Sequence, residues 1–267
     1  MNSKNYKEKF SKNGFVYYHN KGIYSEIIQI RSVMKKFFDK EVIFYQKIKT
    51  DDFRRITTKA LKELYKTVNL RKIQIHFSNV LAKILGVKSS FYISSYVALL
   101  IARPIKKNSK VIKEEESHGF HRETFYALPQ SKKYVKHQIN IWTPIFDVKE
   151  NQNMMYVPIS HKIKDKKIKT VSLLSKESKK NSVSHKLGYL YAPKKIIGGV
   201  NLHLAKRFKV PKNNFLIFNS NLIHGNGVNL SKKIRFAFAV GLVREKYIPK
   251  NIPVSFRTGK PQFVKIV

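Results

Sequence analysis

The first third of the chain carries a three-to-four-residue apolar rhythm, and the rest carries a two-residue one. Residues 1–24 show no clear period and read as an irregular lead-in. From Ser25, which suits an N-cap, Ile27, Ile30, Met34, Phe37 and Val42 fall near helical spacing. A second helix is expected from Asp52 to Val68, with Ile56, Ala60, Leu61, Leu64 and Tyr65 on one face. A third follows Asn69, carries Ile73, Phe77, Val80, Leu81 and Ile84, and stops at Gly86.

After residue 88 the signal becomes β-branched and aromatic. Residues 89–105, 137–146, 154–159, 189–193, 214–220 and 234–243 read as strands. Helices followed by a run of strands predict an α+β chain whose strands close into a jelly-roll barrel. The helices span about 25–86 and the barrel about 89–245, so residues 25–250 form one domain. Residues 162–186 are dense in Lys and Ser and read as a long loop, either a lid or a solvated insertion. Residues 251–267 read as extended coil, with three prolines, 249, 253 and 261, in and just before the stretch.

Composition changes this picture in two respects. The chain has 54 Lys+Arg against 16 Asp+Glu, a formal charge of +38. Such a balance fits a polyanion partner or an anionic small substrate drawn in by the field. It also fits simple compositional drift, because the lysines are spread along the whole chain. There is no cysteine, which removes disulfides and thiolate metal sites and suits a reducing compartment. No apolar run is long enough to span a membrane, and the basic N-terminus lacks the apolar core of a signal peptide. The expected location is the cytoplasm.

The chemistry is carried by histidines. His121-Arg122-Glu123 places an imidazole and a carboxylate on one side of an extended segment. His224 follows the apolar strand at 214–220 and opens a turn rich in Gly and Asn. Arg235 lies eleven residues later among Ile234, Phe236, Phe238 and Val240. A charge there needs a partner, which a dicarboxylate ligand or a salt bridge would supply. Each feature is weak alone. Together they spell H-x-E … H-x10-R, and two His with one carboxylate form the facial triad of non-haem Fe(II) oxygenases.

Residues 137–162 carry a motif string of their own: Trp142, Pro144, Asp147, Val148, Glu150, Asn151, Tyr156, Pro158, Ser160 and His161. In that order, with His121, Glu123, His224, Gly225 and Arg235, they resemble the core of the phytanoyl-CoA dioxygenase-like family over about residues 90–245. The resemblance implies a double-stranded β-helix that binds Fe(II) and 2-oxoglutarate and uses O2. It implies His121, Glu123 and His224 as iron ligands and Arg235 as the partner of the 2-oxoglutarate carboxylate. Gln138, Asn140 and Trp142 would line the cosubstrate or substrate pocket.

Two departures stand out. The carboxylate is Glu where the family usually has Asp, and Asn226 replaces a small hydroxyl residue near the cosubstrate carboxylate. A carboxylate is present all the same, which argues against a halogenase-type variant. His118 would face substrate or support a ligand, or be an ordinary surface histidine; His137 and His161 read as structural.

The expected activity is hydroxylation of a small, anionic metabolite (a sugar, a nucleotide-linked sugar or an acyl derivative), with release of succinate and CO2. The main alternative is a non-catalytic jelly-roll module that binds a polyanion, and a cupin isomerase with another metal is a further one. No helix-turn-helix or RNA-recognition signature supports a specific nucleic-acid partner. Nothing in the sequence fixes the oligomeric state.

Overall fold

The computed structural model describes residues 3–19, 21–87, 90–94, 98–104, 119–127, 129–172, 194–227, 229–254 and 261–266. The first corrections come at the N-terminus. Residues expected to be irregular form helix α1, Ser3–Asn13, and strand β1, Phe15–His19, joined at Gly14 with φ 80°. Strand β1 pairs antiparallel with a strand about two hundred residues away, so its signal could not be read locally.

Helix α2 spans Tyr24–Phe38 and buries Ile27, Ile30 and Met34. Ser25 is inside it and donates to the Glu26 carboxylate at 2.8 Å instead of capping. Val42 belongs to a separate short helix, α3, Val42–Lys47, because the chain breaks at the polar Asp39-Lys40-Glu41. Helix α4 covers Thr50–Thr67 and α5 covers Leu70–Leu85. The α5 ends follow from chemistry: Asn69 accepts from the Lys72 N–H at 3.0 Å, and Gly86 takes the left-handed conformation at φ 63°.

The strands are β2 (Phe91–Ser94), β3 (Ala98–Ala102), β4 (Ile139–Pro144), β5 (Met155–Tyr156), β6 (Lys169–Ser172), β7 (Lys194–Gly198), β8 (Lys206–Arg207), β9 (Asn214–Asn219), β10 (His224–Gly225), β11 (Arg235–Arg244) and β12 (Phe263–Lys265). Seven of them form one antiparallel sheet in the order β1-β9-β4-β11-β2-β12, with β3 also on β11. The single strand expected over 89–105 is thus two, both paired to β11. The loop expected from 162 contains β6, and the extended tail contains β12, which pairs with β2. The strand expected at 189–193 lies outside the described residues.

The architecture is helices plus antiparallel sheet. The closed barrel of the sequence reading is not what the hydrogen bonds show: the main sheet ends at β1 and β12. The opposing layer is a three-stranded sheet, β10-β5-β8, of two-residue strands broken by 3-10 turns, and these strands pair with one another. Alternation along the central strands sorts the side chains. Ile139, Ile141, Phe215, Ile217, Phe236 and Phe238 face the helices and join Ile30, Met34, Phe77 and Leu81 in the largest core. Trp142, Leu216, Phe218 and Ala237 face the small sheet and pack with Met154 and Phe208. No helix among the described residues is long and apolar enough to cross a membrane.

Candidate metal centre

An isolated antiparallel bridge joins the two histidines. The His121 N–H donates to the His224 carbonyl at 2.8 Å, and the His224 N–H donates back to His121 at 3.0 Å. The imidazoles therefore lie side by side, with ring centroids 4.4 Å apart. Two residues on, the chain leaves extended geometry and Glu123 opens a 3-10 turn, its N–H donating to the Ser220 carbonyl at 3.1 Å. That turn brings the Glu123 carboxylate to 3.4 Å from His224 Nε2. One ligand atom from each of His121, Glu123 and His224 lies within 4.8 Å of the others.

The backbone decides which nitrogen faces inward. His121 Nδ1 sits 2.8 Å from the Gly119 carbonyl and His224 Nδ1 sits 2.8 Å from the Leu222 carbonyl. A carbonyl accepts only, so both Nδ1 atoms carry the proton and both Nε2 lone pairs point into the cluster. This is how a metal-binding imidazole is oriented by a partner behind it. Burial, with the neighbouring His224, pushes the His121 pKa down to about 4, so its ring is neutral near pH 7. Burial alone would raise the Glu123 pKa. The close approach of His224 and His121 and the Asn140 amide outweigh it and hold the carboxylate below its usual value. The neutral His121 ring and the inward-facing His224 Nε2 beside an ionised carboxylate are the donor set a divalent cation takes.

Gln138, just before β4, and Asn140 and Trp142 on it alternate onto this side, all buried. Asn140 does not stand open to a cosubstrate: its Nδ2 donates to Glu123 Oε1 at 2.9 Å, and its Oδ1 accepts from Gln138 Nε2 at 2.5 Å. Trp142 Nε1 is buried with no hydrogen-bond partner among the described residues, a donor available to a ligand. Arg235 is 1% exposed and lies 5.9 Å from the Trp142 ring. Its Nη1 donates to the Gln152 and Asn226 carbonyls at 2.8 and 2.7 Å, and its Nη2 donates to Asn226 Oδ1 at 3.0 Å. Asn226 therefore positions the guanidinium. On β11, Ala237, Ala239 and Gly241 share the face of Arg235; Ala237 packs in the core with Trp142, and the side chain of Gln138 lies against Gly241.

Two residues near the cluster carried no sequence signal. Arg122, between the two ligands, points the opposite way, as alternation requires. Buried, it donates to the Asp165 carboxylate and to the Ser160 and Ile163 carbonyls, tying the 160–165 segment to the stretch that bears His121 and Glu123. Tyr126 meets the His121 ring edge-on at 4.8 Å and remains 38% exposed, at the solvent side of the cluster. His137 stacks on Tyr247 at 3.8 Å and His161 lies 3.1 Å from the Ser11 carbonyl, both away from the cluster. His118 lies outside the described residues.

Similar folds among solved structures carry related chemistry. The epimerase SnoN, in complex with Fe3+, alpha ketoglutarate and nogalamycin RO, superposes at a TM-score of 0.51 and 11% identity, covering 99% of this chain and 98% of its own. EvdO2 from Micromonospora carbonacea var. aurantiaca, complexed with 2-oxoglutarate, gives 0.54 and 13% over 90% of each chain. The non-heme monooxygenase ThoJ gives 0.53 and 14%, over 98% of this chain and 83% of its own. At these identities the likeness is one of fold. No curated protein sequence matches the chain. The family model of phytanoyl-CoA dioxygenase matches residues 39–237, a span that takes in all three members of the cluster and Arg235. Because it covers most of the sequence, the chain belongs to the phytanoyl-CoA dioxygenase (PhyH) family.

Proposed function

We propose that the protein is a cytoplasmic Fe(II)- and 2-oxoglutarate-dependent dioxygenase, a single catalytic domain that hydroxylates a small anionic metabolite. The observation that supports this most directly is the triad. His121, Glu123 and His224 converge within 4.8 Å, and each imidazole presents Nε2 because its Nδ1 is held by a backbone carbonyl. His121, Glu123 and His224 would hold the metal on one side and leave the rest of its coordination sphere open. Arg235, fixed by Asn226 and backed by Trp142, would hold the far carboxylate of 2-oxoglutarate, with Trp142 Nε1–H as a second donor. In this reading the open β-layers are the double-stranded β-helix of the family.

When bound, Fe(II) with 2-oxoglutarate and O2 supplies an oxidation that releases succinate and CO2 and leaves one oxygen atom on the substrate. The protein's contribution is positional. The small side chain of Ala239 limits bulk beside Arg235, the aromatic wall of Trp142 and Phe218 excludes water, and Tyr126 stands where a substrate would approach. The net charge of +38 favours a substrate bearing phosphate or carboxylate, such as a nucleotide-linked sugar or an acyl derivative.

The test is succinate formation from 2-oxoglutarate under air with Fe(II) and ascorbate, in wild type and His224→Ala. The expected result is slow, iron-dependent turnover that is lost in the variant. Turnover in His224→Ala at the wild-type rate would reject the ligand assignment. A wild type that binds neither Fe(II) nor 2-oxoglutarate would favour a binding module without catalysis.

A further inference from the structure

The carboxylate of the cluster belongs to a glutamate. Compared with aspartate it has one more methylene and one more rotatable bond, so its oxygen needs more to hold it in place. The structure supplies a chain of contacts that does this. Asn140 Nδ2 donates to Glu123 Oε1 at 2.9 Å, and that same oxygen lies 3.4 Å from His224 Nε2. Asn140 alone could present either end of its amide. Gln138, two residues earlier on the same face of β4, donates its Nε2–H to Asn140 Oδ1 at 2.5 Å and so turns the Asn140 nitrogen towards Glu123. Both amides are buried, where a misdirected or unpaired end is costly.

The backbone closes the circuit. Glu123 N–H donates to the Ser220 carbonyl at 3.1 Å, and Ser220 N–H donates to the Gln138 carbonyl at 3.0 Å, so both ends of the relay hang on one residue. Space for it comes from Gly241, the cross-strand partner of Asn140: a Cβ there would sit 2.4 Å from Gln138 Nε2.

We propose that Asn140, locked by Gln138, is the positioning residue that makes a glutamate serviceable as the carboxylate ligand of this centre. The inference rests on the metal-binding role proposed above for Glu123. It implies that the length of residue 123 and the length of residue 140 are matched to each other. A carboxylate shortened by one methylene needs an amide lengthened by one.

Ni(II) titrated into the apoprotein by calorimetry tests this without substrate or turnover. Ni(II) binds imidazole well enough to follow weakened sites. Asn140→Ala and Asn140→Ser should each weaken binding roughly 10–100-fold, the usual effect of removing a partner behind a ligand. In a Glu123→Ala background the same Asn140→Ala change should alter affinity less than twofold, because no carboxylate remains to position. Glu123→Asp should bind weakly, and Glu123→Asp/Asn140→Gln should recover a large part of the loss. Thermal melts confirm that each variant is folded.

The proposal is overturned if Asn140→Ala binds Ni(II) like wild type. It is equally overturned if the loss is as large in the Glu123→Ala background, which would make Asn140 a general structural residue. If Asn140→Ala and Asn140→Ser do not fold, an Asn140→Gln change that fails to improve Glu123→Asp decides against it. Wild type that binds no Ni(II) or Fe(II) would reject the metal centre itself, a different failure from wild type that binds and an Asn140 variant that binds equally.

Discussion

The two faces of β4, β9 and β11 are built to different rules. Towards the helices the side chains are large and apolar: Ile141, Phe215, Ile217, Phe236, Phe238 and Val240 interlock with Phe77, Leu81 and Met34. Towards the small sheet the same strands carry a smaller apolar core of Trp142, Leu216, Phe218 and Ala237, interrupted by Asn140 and Arg235, which make directed hydrogen bonds. One face stores stability through close packing. The other sets polar groups in fixed directions into a smaller apolar core. Substitutions on the two faces should therefore fail in different ways.

The largest expected effect is on the helix face. Phe238, 4% exposed and 6.1 Å from the Phe77 ring, should cost about 3–5 kcal/mol of unfolding free energy when replaced by Ala, read from urea denaturation. The metal affinity of the folded molecules should not change. His224→Ala on the other side should behave oppositely, abolishing metal binding with about 1 kcal/mol or less of destabilisation. A Phe238→Ala protein of normal stability that no longer binds metal would break the division.

Most of the helix face was legible in the sequence, and most of the site's geometry was not. Ile73, Phe77, Val80, Leu81 and Ile84 declare their helix because a 3.6-residue period is local. Gly86 and Asn69 declare its ends for the same reason. Strand β1 could not be found, since its meaning comes from Phe218 and Ile217, two hundred residues on. The members of the triad could be named from order and spacing, yet spacing does not show that Glu123 turns into a 3-10 helix. Nor does it show that Asn140 and Gln138 spend their amides on that carboxylate and on each other. Alternation placed Arg122 on the far side only once the strand direction was known. The pairing of β10 with β5 depends on two-residue strands that no periodicity reveals.

A second test uses acid. The folded-state pKa of His121 is depressed to about 4, so between the unfolded value of 6.5 and about 4 the unfolded chain binds a proton that the native ring refuses. Stability of the apoprotein is then complete above pH 6.5 and falls as pH drops through that window. His121 alone contributes on the order of 3 kcal/mol. Glu123, also depressed, adds a loss in the same direction at lower pH. His76, His137 and His161 are lowered too, chiefly by burial, so the informative quantity is a difference. His121→Gln should flatten the slope between pH 6.5 and 4 relative to wild type. An unchanged slope would mean that the cluster does not set the acid sensitivity of the fold.

A third change sharpens the contrast on β11 itself. Ala239 is partly exposed and opposite Trp142, whereas its neighbours Phe238 and Val240 are buried on the helix side. Ala239→Leu should fill the space beside Arg235 and weaken 2-oxoglutarate binding about tenfold, equivalent to about 1.4 kcal/mol. Ni(II) affinity and the urea midpoint should stay near wild type. Parallel losses in both ligands would show that the face is packed, not spacious.

The smallest expected effect concerns strain, which also lies behind the site. Ile159 adopts φ 60°, a conformation that β-branched residues rarely take, next to Ser160, whose carbonyl Arg122 ties to the stretch bearing His121. The left-handed region costs an L-residue about 1–2 kcal/mol, and the greater freedom of glycine in the unfolded chain returns about 0.5–1 kcal/mol of that. Since Ile159 is 57% exposed, little burial is lost on truncation. Ile159→Gly should therefore raise the unfolding free energy by about 0.5–1 kcal/mol, and Ile159→Ala, which keeps the strain, should not. Asn213, at φ 57°, offers the comparison, because asparagine tolerates this region and Asn213→Gly should gain less. Should Ile159→Ala stabilise as much as Ile159→Gly, the gain would come from removing an exposed apolar side chain, and the backbone behind the site would not be a store of strain.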